Sequence, residues 1–450
     1  MPLKVKRNSI RFYPDPKRII TRFYRPSDDE RVEMIIKNIL NLTEEETYLV
    51  LDQILKNFSK RHRNISRVLE KNYSEVKEIV NRLRANHKTI SKKKKLLIGA
   101  YFTQEYSIES AAFFNPSIVL DPDQFNLEEG QTRVIISFRA TGEGHISSIV
   151  FRSAIIDKKN KITVVDPGYL VDVPETIKRY VYDKKRFKQK FEEIEHDGKI
   201  LELITDKLND KFIYGELMAS IVDLLKDKSL TEAEKKEIDH INWLATSHYE
   251  TNFSLDTAIS ERVIFPVSYS ETNGIEDARF VRFTNDNGKI SYYATYTAYN
   301  GHAILSTLLE TKDFYSFKFM PLYGKFAVQK GMALFPRKIN GKYAMLSRYD
   351  GYANYIMFSD NINVWENAKK IQEPAFPWEL TKVGNAGSPL ETEKGWLLIT
   401  HSVGPMRRYS LGAVLLDLED PSKVIAHLEE PLLMPNENER DGYVPNIVYS

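Results

Sequence analysis

From residue 261 onward the chain carries short apolar runs at near-regular spacing, divided by turn-forming residues. Arg262–Tyr269, Ala278–Phe283, Ile290–Ala298 and Ala303–Leu309 come first. Met332–Pro336, Tyr343–Ser347, Tyr355–Ser359, Ser388–Glu391, Trp396–Ser402 and Ser410–Leu416 follow. Many short strands with turn signals suggest a sandwich, a barrel or a propeller. Apolar strands stand beside turns of related composition, at Gly341–Tyr343 and Lys394–Trp396. A loose repeat of that kind suits similar four-stranded blades around an axis. Ser117–Leu120, Arg133–Phe138, Ser147–Arg152 and Lys161–Val165 show the same grammar earlier in the chain.

Two stretches read as helix instead. In 28–88, Ile35, Ile36, Ile39 and Leu40 have helical spacing, and Val68, Leu69, Val76, Ile79, Val80 and Leu83 form another apolar stripe. Thr43-Glu-Glu-Glu is a capping box ahead of Tyr48–Leu55. Lys92–Lys95 reads as a solvated polar linker. Residues 174–245 form a helical insertion, expected to pack on the N-terminal helices. Its helices are Arg186–Ile194, Ile200–Leu208, Gly215–Leu225 and one capped by Thr231-Glu-Ala-Glu. Residues 1–27, with Pro14, Pro16 and Pro26, read as extended.

Composition narrows the function. The 25 Tyr and 23 Phe favour strands and sugar-stacking surfaces. A net charge of +2 argues against a nucleic-acid binder steered by bulk charge. Absence of cysteine removes disulfides, thiol nucleophiles and Cys–zinc sites. The start Met-Pro-Leu-Lys-Val-Lys-Arg lacks an apolar signal core, and no apolar run has membrane-spanning length, so the expected location is cytoplasmic.

The candidate chemistry centres on residues 271–283. Glu276, Asp277 and Arg279 fall within four residues at a strand entrance. Alternation along a strand sends adjacent carboxylates to opposite sides. Arg279 would then hold one while the other faces a pocket, separating their pKa values as acid chemistry requires. No phosphate-binding loop, His-Glu-x-x-His pair or Gly-x-Ser-x-Gly elbow is present, and the nine histidines do not cluster as metal ligands. Polar residues do recur at strand ends: Asn115, Arg139, Lys330, Arg348, Lys382 and His401. Each alone would be read as a surface group. Converging on a propeller axis, the later cations and the histidine would form an anion site, with phosphate the simplest occupant.

These residues resemble glycoside hydrolase family 130, the β-mannoside phosphorylases and related β-mannosidases. The matching stretches are Phe114-Asn-Pro-Ser, Gly274-Ile-Glu-Asp-Ala-Arg and Ala333-Leu-Phe-Pro-Arg-Lys-Ile-Asn-Gly-Lys-Tyr. Ser388-Pro389, Gly395-Trp-Leu-Leu-Ile-Thr-His and Tyr409-Ser-Leu-Gly-Ala-Val-Leu-Leu-Asp-Leu-Glu-Asp-Pro complete the set. The resemblance covers residues 111–450 and explains neither helical stretch.

It implies a mainly β chain whose residues 99–450 form a five-bladed β-propeller, to which the helical spacing adds an insertion at about 174–245. Residues 1–98 would be an extended segment and helical extension. It implies that Asp277 is the general acid, delivering its proton through the mannosyl 3-hydroxyl. Phosphate would attack the opposite face and give α-mannose 1-phosphate with inversion. Asn115, Arg139 and Arg279 match sugar-binding positions, and Glu276, Asp350 and Asp441 are assigned to the same polar surroundings. Lys330, Arg348, Lys382 and His401 match the phosphate set, Lys330 standing where an Arg is expected. Val444–Ser450 reads as the start of a last-blade strand, where family members continue for some tens of residues.

The implied activity is phosphorolysis of β-mannosides, with inorganic phosphate as co-substrate and no cofactor or metal. The partners are the sugar and phosphate, not nucleic acid or membrane, with the helical additions available for a homo-oligomer. A β-mannosidase on the same fold is the first alternative, in which Asp350 or Asp441 would position water. A non-catalytic carbohydrate-binding propeller is the second.

Overall fold

The computed structural model describes residues 5–84, 89–177, 180–194, 198–226, 230–301 and 303–449. The expected extension and insertion each run partly outside these, at 1–4, 85–88, 178–179, 195–197 and 227–229, as does Ser450. The chain is mainly β. Its strands form four successive antiparallel meanders.

The first meander is Ala112–Leu120, Thr132–Thr141, Ser147–Ile156 and Ile162–Val164. The second is Gly274–Thr284, Ile290–Tyr299, Ile304–Thr311 and Ser316–Pro321. A parallel bridge from Gly274 to Ser147 joins them. Tyr249–Asn252 and Glu175–Ile177 extend the second at its outer edge. Ala333–Leu334, Tyr343–Ser347, Asn354–Ser359 and Ala368–Gln372 make the third. Lys382–Asn385, Gly395–Val403, Tyr409–Leu416 and Val424–His427 make the fourth.

The strand reading holds in detail for Tyr343–Ser347. It fails at Arg262–Tyr269, where only Val263–Ile264 pairs and Tyr269–Glu271 is a short 3-10 turn. Pro266 has no N–H to donate to a ladder, so the apolar run is cut after Phe265. Val444–Ser450 was also expected to open a strand. Among its described residues there is a single bridge, from Ile447 to Tyr409.

The N-terminal helices are Asp29–Asn41, Glu44–Phe58, Ile65–Leu83 and Lys92–Tyr101. Val32, Ile36, Val76, Val80, Leu97 and Phe102 form their shared core. Thr43 and Glu46 make the expected capping box. The lysine run is no linker: Ser91 caps the helix that it opens, and Lys94 is buried. Lys94 Nζ donates to the Leu42 carbonyl at 2.6 Å and the Leu40 carbonyl at 3.3 Å. It thus satisfies carbonyls left over at the end of the first helix. The strands Ile19–Phe23 and Thr103–Ser107 pair beside this bundle.

The helices of the insertion are Lys184–Ile194, Lys199–Thr205, Tyr214–Leu224 and Glu232–Thr246. They do not pack their apolar faces on the N-terminal helices as expected. Phe187, Phe191, Leu217 and Leu244 join one core with Phe151, Phe280, Phe317 and Phe319 of the first two meanders. Polar contact with the N-terminal helices includes an Arg67–Glu175 ion pair. The sheet offers a continuous aromatic face, whereas the N-terminal bundle has already buried its own. Among the described residues no helix is long and apolar enough to cross a membrane.

Candidate active site

Glu276 and Asp277 stand where the strand Gly274–Thr284 loses register. Glu276 pairs with Thr297 and Arg279 with Thr295, so Asp277 and Ala278 together face one residue of the neighbouring strand. This is a β-bulge, and it cancels the alternation that would have separated the two carboxylates. Asp277 takes a left-handed φ of 54°. The first meander repeats the device: Asn115 and Pro116 are left over between Phe114 and Ser117, and Asn115 has φ 53°. Asn and Asp tolerate this region better than other non-glycine residues, and such strain gathers at functional sites.

The two bulges turn their side chains toward each other. Asn115 Nδ2 donates to Asp277 Oδ1. Arg139 bridges both carboxylates, Nη1 to Asp277 Oδ1 at 3.3 Å and Nη2 to Glu276 Oε1 at 2.9 Å. Its Nε donates to Ser147 Oγ at 2.9 Å, which fixes the guanidinium plane. Lys330 Nζ donates to Glu276 Oε2. Among the described residues Asp277 Oδ2 has no partner, so that oxygen can carry a proton to a ligand.

Arg279, expected to hold one carboxylate, holds neither. It is buried, with Nη1 donating to Asn385 Oδ1 and Nη2 to the Tyr449 hydroxyl at 2.9 Å. With Asp277 in the bulge, the next arginine points into the packing between strands, and the more distant Arg139 takes its expected place.

Asn115, Arg139, Glu276, Asp277 and Lys330 line one cavity of about 710 Å³ together with Arg348, Lys382, His401 and Asp441. Its wall also contains Arg407, Tyr409 and Tyr449, which the sequence reading passed over. A signal for this ring does exist in the sequence. Arg139, Arg348 and His401 each stand three residues before a glycine, Gly142, Gly351 and Gly404, at the same end of the second strand of three meanders. Arg407 and Tyr409 follow one of those turns.

Arg348 Nη1 lies 2.8 Å from His401 Nε2, and His401 Nδ1 lies 2.9 Å from the Asn385 carbonyl. A guanidinium can only donate, so Nε2 accepts and Nδ1 carries the proton. Burial first, then the charges of Arg348 and Arg279, hold His401 well below the ordinary histidine range. His401 is therefore neutral. It adds no charge to the anion site, as had been expected of it, and instead orients Arg348. Gly384 makes this contact possible, because a Cβ there would stand 2.7 Å from His401 Cε1.

Burial lowers the pKa of Arg348, whose buried Nε has no hydrogen-bond partner among the described residues. Burial would raise the Tyr409 phenol, but hydrogen bonds and charge from Lys382 and Arg407 outweigh it and leave the phenol below its usual value. Among the described residues no carboxylate forms an ion pair with Arg348, Lys382 or Arg407. Lys330 does not join this group. It is tied to Glu276 and lies 5.6 Å from the centre of the Tyr299 ring.

Asp350 is not brought to the cavity wall. It is exposed and accepts from the Tyr352 and Ala353 amides at 2.8 and 2.9 Å and from the Tyr355 hydroxyl at 2.9 Å, closing its own turn. Among the described residues no group of three or more His, Asp or Glu side chains is arranged to hold a metal.

Residues 231–450 match the model of glycoside hydrolase family 130, described as beta-1,4-mannooligosaccharide phosphorylase. Over 124 residues it is 50% identical to a 1,2-beta-oligomannan phosphorylase of a Thermoanaerobacter species, covering 27% of this chain and 41% of that one. Over 188 residues it is 39% identical to a beta-1,2-mannobiose phosphorylase of the same source, covering 40% of this chain and 59% of that one. The chain thus spans about half the length of the curated relatives it matches. A solved beta-1,2-mannobiose phosphorylase of Listeria innocua, in complex with beta-1,2-mannobiose, aligns over 76% of this chain and 82% of its own, with a TM-score of 0.41 and 19% identity.

Proposed function

We propose that the protein is an inverting β-mannoside phosphorylase. The observation that carries this reading is the division of one cavity into a wall with a hydrogen-bonded carboxylate and a wall of cations that lack carboxylate partners among the described residues. Asp277 would protonate the glycosidic oxygen from Oδ2, through the mannosyl 3-hydroxyl. Asn115 and Arg139 would hold Asp277 and, with Glu276, the mannosyl hydroxyls. Phosphate, held by Arg348, Lys382, Arg407 and Tyr409, would attack the anomeric carbon from the opposite face. The C–O bond to the leaving sugar breaks as the phosphate C–O bond forms, giving α-mannose 1-phosphate and a shortened sugar. Phosphate is already an anion at neutral pH, so no base is needed. The substrates are then a manno-oligosaccharide and phosphate, with no cofactor.

The four meanders are read as blades of a five-bladed propeller spanning 99–450, with residues 1–98 as an added extended segment and helical region. A charged sugar phosphate does not cross a membrane unaided, so a cytoplasmic setting suits the product. Both Thermoanaerobacter relatives are named for β-1,2-linked substrates, whereas the family description names β-1,4 linkages. We place the β-1,2 linkage first, on the higher identity.

Hydrolysis is the competing reading, favoured by one observation: Asp441 lines the cavity without an ion-pair partner among the described residues. An inverting hydrolase would need such a carboxylate to activate water. Mannobioses of defined linkage, incubated with and without phosphate and assayed for mannose 1-phosphate, separate the two.

A further inference from the structure

The residues ahead of the first helix lie outside the matched stretch 231–450. Three of them, Phe12, Tyr13 and Pro14, nevertheless form part of the cavity wall. The segment is tied at both ends. Arg7 donates through Nε to Glu439 Oε1 at 2.9 Å and through Nη2 to the Met434 carbonyl at 2.6 Å. Arg18, 1% exposed, donates to Glu109 at 2.8 Å and to the Gly168 carbonyl at 2.9 Å. Between these anchors the Phe12 ring lies 4.8 Å from that of Phe138, which stacks on Phe113 at 4.2 Å. Tyr13, next in the chain, is 74% exposed. A large aromatic side chain held at a cavity rim, on a segment pinned at both ends, has its ring free for a ligand.

Its position says which part of the ligand. Phe113 leads into Phe114 and Asn115, and Phe138 leads into Arg139. The Phe12 end of the segment therefore stands beside Asn115 and Arg139, on Asp277's side. In an inverting displacement the nucleophile and leaving group occupy opposite faces of the anomeric carbon. With the anion at Arg348, the leaving sugar departs past Asp277 toward this rim. Tyr443 is there too, 52% exposed, its ring 6.1 Å from Phe114 and its hydroxyl 2.9 Å from His145 Nδ1.

We infer that Tyr13 is the platform on which the leaving-group hexopyranose packs, so that residues 7–18 set specificity for the sugar beyond the cleaved bond. The direction of this assignment rests on the glycoside-cleaving reading above. The contact itself is apolar: the C–H face of a pyranose covers the ring while its hydroxyls keep water.

Calorimetric titration of mannobiose, mannotriose and phosphate against wild type, Tyr13→Ala and Tyr13→Trp tests it. Mannotriose should bind Tyr13→Ala roughly threefold to tenfold more weakly, the scale of one aromatic contact. Phosphate affinity should be unchanged, and Tyr13→Trp should restore the sugar. Arg7→Ala, which loosens the segment without touching the ring, should weaken mannotriose binding in the same direction and by less. Unchanged mannotriose affinity in Tyr13→Ala overturns the inference, as does an equal loss of phosphate affinity. A wild type that binds mannotriose but makes no mannose 1-phosphate sinks the phosphorylase reading, while the platform still stands or falls on the Tyr13→Ala titration.

Discussion

On one side of the cavity Glu276 and Asp277 are held by partners within the protein, whereas among the described residues Arg348, Lys382 and Arg407 form no ion pair with a carboxylate. Arg139 and Lys330 neutralise Glu276, and Arg139 with Asn115 holds Asp277. Arg348, Lys382 and Arg407 share Tyr409 and a neutral histidine instead. Cations around one void repel each other unless an anion joins them. The first wall is complete without a ligand and is built to hold a geometry. The second would be completed by an anion. That asymmetry suits the proposed phosphate nucleophile better than water.

The largest expected effect breaks the first wall. Asp277→Asn keeps the shape and the contact with Asn115 but cannot donate an acidic proton. Cleavage of unactivated mannosides should fall about 10²- to 10⁴-fold, with sugar affinity measured by titration nearly intact. Near-normal turnover would leave Asp277 with a structural role only.

A pair of variants then sharpens the contrast. Arg348→Ala should raise the KM for phosphate about tenfold to a hundredfold, the scale of a lost charge-assisted contact, and that for the sugar by much less. Lys330→Ala should do the reverse, disturbing Glu276 and hence the sugar KM. If Lys330→Ala instead acted mainly on phosphate, the family assignment of Lys330 would be right and the Glu276 contact incidental.

The smallest effect is on stability. His401 is neutral in the fold, with its pKa pushed well below the ordinary value by burial and by Arg348 and Arg279. In the unfolded chain it takes up a proton below about pH 6.5. The unfolded state then binds the extra proton, so stability is lost as pH falls from about 6.5 toward the folded pKa. The slope for one such group is at most about 1.4 kcal/mol per pH unit. Buried His248, lowered to about 3, contributes in the same sense. Thermal melts of His401→Asn should therefore differ less between pH 7.5 and pH 5.5 than those of wild type. An identical pH response would mean that His401 is protonated in the fold.

Much of this was legible in the sequence. Strand positions such as Tyr343–Ser347 followed from apolar alternation, and the capping boxes at Thr43 and Thr231 fixed two helix starts. Most of the site residues converge as their recurrence at strand ends suggested. What escaped depends on relations that no local pattern carries. A bulge is a mismatch between two strands, so the left-handed turn at Asp277 and the shared Arg139 could not be read from Glu276-Asp277 alone. Lys94 looked solvated because its partners, the carbonyls of Leu40 and Leu42, lie some fifty residues away in the chain. The charge of His401 depended on its burial. Arg407 and Tyr409 were within reach, through the glycine that follows Arg139, Arg348 and His401 at the same interval.

The most direct measurement is the reaction itself. The full-length protein is incubated with β-1,2-mannobiose, with and without inorganic phosphate, and both mannose 1-phosphate and free mannose are quantified. A phosphorylase yields α-mannose 1-phosphate and mannose in equal amounts with phosphate, and almost nothing without it. Cleavage at the same rate in phosphate-free buffer, giving two mannoses per bond broken, would contradict it and make Asp441 the first residue to test as the base.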